Sequence, residues 1–431
     1  MLHQARTLGV ASYMRPGMMR VVPLQVITLD ESHQVAHCNS NKGRDPASDA
    51  IKFSEPLANR TCVQPIFAFP RYYSLRMLRT RTMTSLSHIS QQQLHSILTA
   101  GILAPSADNR HLFRYSILED RVLMRTSDAY LRANAQTRLL GWISFGAVVE
   151  NMHVQASAYA IATDVTWFPS KEVICEIRLR KGERQPDALL RAIPERHTNR
   201  RFFSGPRLSV PERSELEKQL PSSCGVSVVW LDSPPVRAKA LRLIKLAEAE
   251  RFRSRGLHAE LFSSLRFDVG HNSSCEEGIP IGAAEVELPA RPLFRLMRDW
   301  RTMRALNILR AYRFFGWRAA YLPARLSPHL ALIRAQGDIR TAAIQAGRGF
   351  ERLWLWANDK GLALQPLAAA ALYARPEFED VGVQVREELR RGWAALAPGG
   401  TPMMVFRLGY AGLPSVRAGR PPLSRFLSLA E

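Results

Sequence analysis

The chain has 431 residues, with 59 lysines and arginines against 38 acidic residues, a formal charge of +21. An apolar share of 46% excludes a mostly disordered chain. The length allows two domains, or about three modest ones, and a core large enough to need neither disulfides nor a structural metal.

The charge excess is mostly arginine and reads as attraction for anions. No RNA-binding or zinc-finger signature accompanies it, so nucleic acid is not the expected partner. Cys38, Cys62, Cys175, Cys224 and Cys275 are odd in number, dispersed and without a CxxC pair. That usage fits a reducing, cytoplasmic setting and no zinc site. No run of 18 apolar residues occurs, so no membrane span is expected, and the first residues lack a signal-peptide pattern.

In chain order, residues 1–84 read as a basic extension, with eleven Lys/Arg against five Asp/Glu. Order is expected from about Ser85, where Ser85-Leu86-Ser87 caps a helix through QQQLHSILTAGIL, ended by Ala104-Pro105-Ser106. Phe113–Leu118 reads as a strand. A long helical region follows from Ser127, with Phe145, Val148, Val149, Met152, Ala156 and Tyr159 at helical spacing. Gly141, Gly146 and Ala147 permit close packing of that helix. Val173–Arg178, Val226–Leu231 and Pro402–Leu408 read as strands. A helix runs from Pro235 to Arg255, stopped by Gly256, and another from Arg340 to Lys360, stopped by Gly361. The two long helical passages, 141–162 and 341–362, each precede a strand-like run, a weak internal repeat. Residues 291–330 hold nine arginines and one aspartate among large apolar residues. They read as a covering element packed on their own protein, with a membrane-surface helix as the rival.

The stretch APSADNRHLFRY, Ala104–Tyr115, resembles the nitroreductase family motif A-P-S-x-x-N-x-Q-P-W-x-F. Pro105, Ser106 and Asn109 match it, and His111 stands where the family has glutamine. WISFGAVVENMHVQASAYAI is similar to the family's following helix. PERHTNRRFFSGP resembles the family's opening R-R-S-x-R-x-F through Arg196, His197, Thr198, Arg200 and Phe202. The order is inverted, because the opening motif normally precedes A-P-S. FERLWLWANDKGLALQPLAAA and the closing Arg420, Pro421 and Leu423 resemble the family's late helix and ending.

The resemblance spans roughly residues 85–431 and implies an α+β fold, a mixed sheet flanked by helices. The inverted order implies two fused halves, 85–193 and 194–431, forming an internal pseudodimer like the duplicated subfamily of mycobacterial dormancy-associated flavin-binding proteins. One FMN site is implied, not two, because the first half has no good R-R-S opening. Its implied residues are Pro105, Ser106, Asn109 and His111 at the ring, and Arg196, His197, Thr198, Arg200 and Arg420 at the phosphate. Arg266, in LRF…EEGIP, is implied as a pocket residue. Arginine forks suit a phosphate because they bind it bidentately. Cys275 and the pair Trp354 and Trp356 read as structural.

The implied function is an FMN-dependent oxidoreductase passing electrons from NAD(P)H to a quinone, a nitroaromatic or another small acceptor. The alternative is a flavin carrier whose 291–330 segment lids the ring. No G-x-G-x-x-G follows a strand, so no dinucleotide-binding domain of that type is expected. A chain holding both halves works as a monomer or as a homodimer of the fused chain.

Overall fold

The computed structural model describes residues 89–431, apart from 120, 184, 223, 224 and 429–431. The readings made on residues 1–84, Ser85–Ser87, Cys38, Cys62 and Cys224 lie outside the described residues.

The chain opens on α1 (Gln91–Ile102), whose N-cap is Ser90 rather than a residue of 85–87. Ser90 and Gln93 form a reciprocal capping box that satisfies two end donors. Two strands follow, β1 (Phe113–Ile117) and β2 (Arg121–Thr126), then the short α2 (Asp128–Leu131). The long helix α3 (Ala135–Ser157) starts afresh at an Asn134 cap, so the region from Ser127 is two helices, not one. Strands β3 (Ile161–Trp167) and β4 (Val173–Lys181) complete the first sheet.

The second set begins with α4 (Val210–Glu217) and β5 (Val226–Trp230). Helix α5 (Pro234–Arg253) breaks at Ser254, which is extended at φ −84° and ψ 133°. Gly256 therefore does not end it but lies inside α6 (Arg255–Ser264). Strands β6 (Leu265–Arg266) and β7 (Ile279–Pro280) make a small parallel pair. The arginine-rich region is not one helix. It is cut into α7 (Arg291–Leu296), α8 (Trp300–Ile308), α9 (Ala311–Gly316), a π-turn and α10 (Leu322–Leu326). These pieces pack on α5 and α6 around Phe252, Phe262, Leu265, Met297 and Met303. The chain then runs through β8 (His329–Ala335), α11 (Ile339–Asp359), β9 (Ala363–Leu367), α12 (Ala368–Leu372), α13 (Val383–Leu396) and β10 (Thr401–Gly409). Gly361 ends α11 in the left-handed region at φ +69°, where a side chain is disfavoured.

Each sheet has four antiparallel strands, ordered β1-β2-β4-β3 and β5-β8-β10-β9. Ranked by chain position, both read first, second, fourth, third, and in both the long helix sits between the second and third strand. The C-terminal tail adds a single parallel bridge at the edge of the first sheet. Leu427 bridges Tyr115 in parallel, with Tyr115 N donating to Phe426 O at 2.6 Å and Ser428 N to Tyr115 O at 2.8 Å. The tail thus covers the exposed edge of β1.

Helices α3 and α11 cross in the centre. A Cβ on Gly146 would lie 2.0 Å from Ile344 O, and one on Gly347 would lie 1.9 Å from Ile143 O. The spacing is the same in both helices (347 − 146 = 344 − 143 = 201), so each helix offers its glycine to the other's isoleucine carbonyl. The buried Glu150 and Glu351 follow the same offset.

Since backbone rather than a flexible side chain blocks the space, Gly146→Val has no local relief. Overpacking of this kind costs several kcal/mol. Urea unfolding of Gly146→Val should show a loss of at least about 3 kcal/mol, with Gly141→Ala, where the nearest atom is 3.4 Å away, much milder.

Candidate functional site

A cavity of about 880 Å³ lies where four distant stretches of chain converge. The loop after α1 contributes Pro105, Ser106, Asp108 and Asn109. The segment before α4 contributes Arg196, His197, Thr198 and Arg200. The C-terminal tail contributes Arg417 and Arg420, and residues 293–323 contribute Leu293, Phe294, Met297, Phe314, Phe315 and Arg318.

Eight of the ten residues singled out from sequence therefore meet at one cavity. The other two do not. His111 faces a small adjoining void between the loop and α3, edge-on to Phe426 at 5.3 Å. Its ring is enclosed, and burial, opposed by the Ile102 backbone, holds its pKa down at about 3, so it stays neutral. Arg266 is off the wall. At the half-buried end of β6, its Nε donates to Asp268 Oδ1 at 2.8 Å and its Nη2 to Asp268 Oδ2 at 2.5 Å. The phrase that drew attention to Arg266 places its neighbours Leu265 and Ile279 on the cavity instead.

The loop is locked rather than free. Asp108 and Asn109 both have φ +54°, an uncommon conformation for residues with side chains. Asn109 Nδ2 donates to the carbonyls of Glu276, Gly278 and Gly419 at 3.0–3.3 Å, and its Oδ1 accepts from Arg420 Nη1 at 2.7 Å. Asn109 thus ties the loop after α1 to the turn before β7 and to the C-terminal tail. Arg420 also donates to Gly419 O and Ala104 O, and burial lowers its pKa to about 9.

Arg196 is likewise committed. It pairs with Glu351 at 3.2 Å, donates to Leu103 O at 2.8 Å and lies 4.6 Å over the Trp354 ring. Arg200 is less occupied, donating to Ala283 O at 3.1 Å. Burial lowers its pKa, with Asp108 opposing. His197 Nδ1 and Glu195 O are 2.7 Å apart. The Thr198 hydroxyl makes no hydrogen bond among the described residues. Ser106 Oγ is enclosed and has no partner there either.

Several wall residues carry no sequence signal of their own. Asp108, Glu248, Arg251, Glu260 and Tyr373 form a polar patch. Burial raises the Asp108 carboxyl, partly offset by Arg251, Arg110 and Arg200. Burial opposes charge on Arg251, but Glu248, Tyr373 and Asp108 outweigh it and its pKa rises. Arg407, fully buried, holds the wall residue Gln365 at 2.6 Å, donates to Arg201 O at 2.7 Å and lies 3.7 Å over Phe203. Only Asp108 was findable, as an unassigned position inside the A-P-S-x-x-N match.

The matched glutamates differ in partners. Glu150 takes Arg348 at 2.8 Å and Arg352 at 3.1 Å. Glu351 has Arg196 alone at ion-pair distance, and burial, with Arg196 opposing, pushes its carboxyl up to about 7.

No family model matches the chain. It is 24% identical over 351 residues to an uncharacterized protein of Mycobacterium tuberculosis, covering 75% of this chain. The chain spans about half the length of that relative, 46%. Among solved structures, it is similar to the FMN-dependent nitroreductase NfnB from Mycobacterium smegmatis in complex with NADPH, at 18% identity and a TM-score of 0.34, over 56% of this chain and 97% of the other. A nitroreductase with bound FMN from Desulfitobacterium hafniense is similar at 15% identity and a TM-score of 0.30, over 57% and 100%. One with bound FMN from Bacteroides fragilis is similar at 11% identity and a TM-score of 0.28, over 52% and 89%.

Glu351 gives a pH signature. Its folded pKa lies above the ordinary 4.5, so the folded state binds more protons between pH 4.5 and about 7. Stability contributed by the protonated form is present at the acid end and lost as pH rises through that window. Unfolding free energy of the natural protein should fall across it relative to Glu351→Gln. Parallel curves for the two would mean that Glu351 is already ionised at the acid end.

Proposed function

We propose that this chain is an FMN-dependent oxidoreductase of nitroreductase type, taking electrons from NAD(P)H to a small organic acceptor. The observation that carries the reading is the meeting, at one cavity, of the A-P-S-x-x-N loop, the Arg196–Arg200 segment and Arg420, which lie far apart in sequence. Those are three of the stretches by which the sequence resembles the family, and their inverted order along the chain fits a fused pair of halves. The equivalent strand orders and the matched helix crossing support the same internal pseudodimer.

The residues present fit FMN. The cavity is at the upper end of the size range for small-molecule sites, mostly apolar with a few placed polar groups. Arg200, with one carbonyl partner, and Thr198, with none, are the groups we assign to the phosphate. Arg196 and Arg420 supply positive charge from behind, because their own bonds hold the wall in place. Ser106 and the Pro105 turn are assigned to the ring. Asn109 keeps that turn in position, and His111 supports it from outside the cavity.

Bound FMN would supply hydride acceptance from a reduced nicotinamide and electron transfer onward. The protein's part is orientation and exclusion of water. Phe294, Met297 and Phe315 give the cavity an apolar wall, which strengthens charge interactions beside it. The polar patch around Asp108, Arg251 and Tyr373 offers donors to an acceptor's polar end.

The same wall favours a second reading, a flavin carrier with little turnover, since residues 293–323 stand where a lid would. Anaerobic NADPH and NADH addition separates the two. Rapid bleaching of the flavin absorbance supports the oxidoreductase, and persistent absorbance supports the carrier. A purified protein that holds no flavin and takes up none would sink both.

Loss of a charge-assisted bond costs roughly 1.5–3 kcal/mol. Arg200→Ala should therefore weaken FMN binding about ten- to a hundredfold by fluorescence titration. Arg266→Ala should leave it unchanged, because its partner is Asp268.

A further inference from the structure

The exposed apolar side chains are concentrated in one region. Among the described residues, large hydrophobics that stand out into solvent include Leu288, Leu293, Leu296, Ile308, Leu309, Phe314 and Leu326. All seven fall within residues 288–326, and only Leu131, Phe202, Val210, Val383 and Leu413 are comparable elsewhere. Monomeric soluble proteins rarely gather so many in one place without a partner for them.

The barest are Ile308 and Leu309, at 81% and 83% exposed. They sit at the turn from α8 to α9, which Arg310 closes at φ +58°. The turn therefore presents two adjacent aliphatic side chains outward from a fixed backbone. The same segment carries Arg295, Arg298, Arg301, Arg304, Arg310, Arg313 and Arg325, all exposed and none in an ion pair among the described residues. Asp299 is the only acidic residue in 288–326.

Exposed apolar side chains interspersed along one segment with arginines free of ion pairs match the chemistry of an anionic lipid surface, with acyl boundary for one and headgroup charge for the other. Two other occupants fit less well. The chain's own residues 1–84 carry eleven basic and five acidic residues, so their charge repels this face. Single-stranded nucleic acid is held through aromatic stacking platforms, whereas the outermost residues here are leucine and isoleucine.

We propose that residues 288–326 form a docking surface for an anionic membrane, with Ile308 and Leu309 entering the headgroup–acyl boundary. The surface adjoins the cavity. Leu293 and Phe314 are exposed and also line it, so the wall of the site and the docking face share side chains. The chain would lie on the membrane, not across it; no helix among the described residues is long and apolar enough to span one.

Flotation of the full chain with phosphatidylglycerol–phosphatidylcholine vesicles, against phosphatidylcholine alone, tests the proposal. The chain should float with the anionic vesicles only. Ile308→Ser with Leu309→Ser should lower partition about tenfold or more. Arg301→Gln and Arg304→Gln should each lower it about fivefold. These side chains are exposed, so an unchanged thermal melt is expected and shows that the variants fold. Tryptophan emission gives a second readout, because Trp300 and Trp317 lie in the segment and should shift to the blue with anionic vesicles only. No flotation of the natural protein would overturn the proposal. So would flotation unaffected by the two serines, release by competing poly(U) RNA at equal charge, or a solution dimer that the serines dissociate.

Discussion

Two peptide backbones come into contact where α3 crosses α11, and most of the architecture follows from that approach. Gly146 lies against the Ile344 carbonyl and Gly347 against the Ile143 carbonyl, with no room for a side chain at either place. At that distance Ile143 and Ile344 are buried beside the two glycines, while Phe145 turns to Phe113 of the first sheet and Phe350 to Phe406 of the second. Each helix also lies between the second and third strand of its own sheet. Fixing the crossing therefore fixes where the two sheets stand, and with them the loops that wall the cavity.

Ties between distant parts of the chain then close the cavity. Asn109 joins the loop after α1 to the C-terminal tail, the tail joins the edge of β1, and Arg407 joins β10 to the segment at Arg201. Much of the positive charge near the site is spent on this. Arg196, Arg407 and Arg420 are all enclosed and all bonded to carbonyls or carboxylates of the protein. A net charge of +21 is thus a poor guide to how many cations remain for a ligand. Arg200 and Thr198 stand out because so little of the protein holds them.

The sequence was most readable where a pattern is local. Helix α11 was placed to within a residue at each end, because its apolar spacing is regular and Gly361 terminates it. β5 and β10 were readable as apolar runs. β2, β3, β8 and β9, like the two-residue β6 and β7, are not legible as strands. RVLMRT and IATDVTW mix charge and small residues, and HLALIRA and ALQPL sit against helical runs whose pattern absorbed them. The break at Ser254 was misassigned to Gly256, since glycine is the usual stop and an extended serine gives no signal. At the site, family-like motifs identified the loop and the arginines. They did not reveal Arg251, Tyr373 or Arg407, which reach the cavity region through helix and strand packing that no short spacing encodes. They also suggested Arg266, which a neighbouring aspartate had already taken.

Carrying both glutamates on one chain has a consequence for how such a molecule changes over time. In an assembly of two identical copies, one substitution would alter Glu150 and Glu351 together, since both would come from a single position. Here each carboxylate has its own codon. Glu150 pairs with two guanidiniums across the crossing, while Glu351 pairs with one and has its carboxyl pushed up by burial. Inheritance can therefore tune one side of the crossing for rigidity and leave the other free to specialise around the cavity.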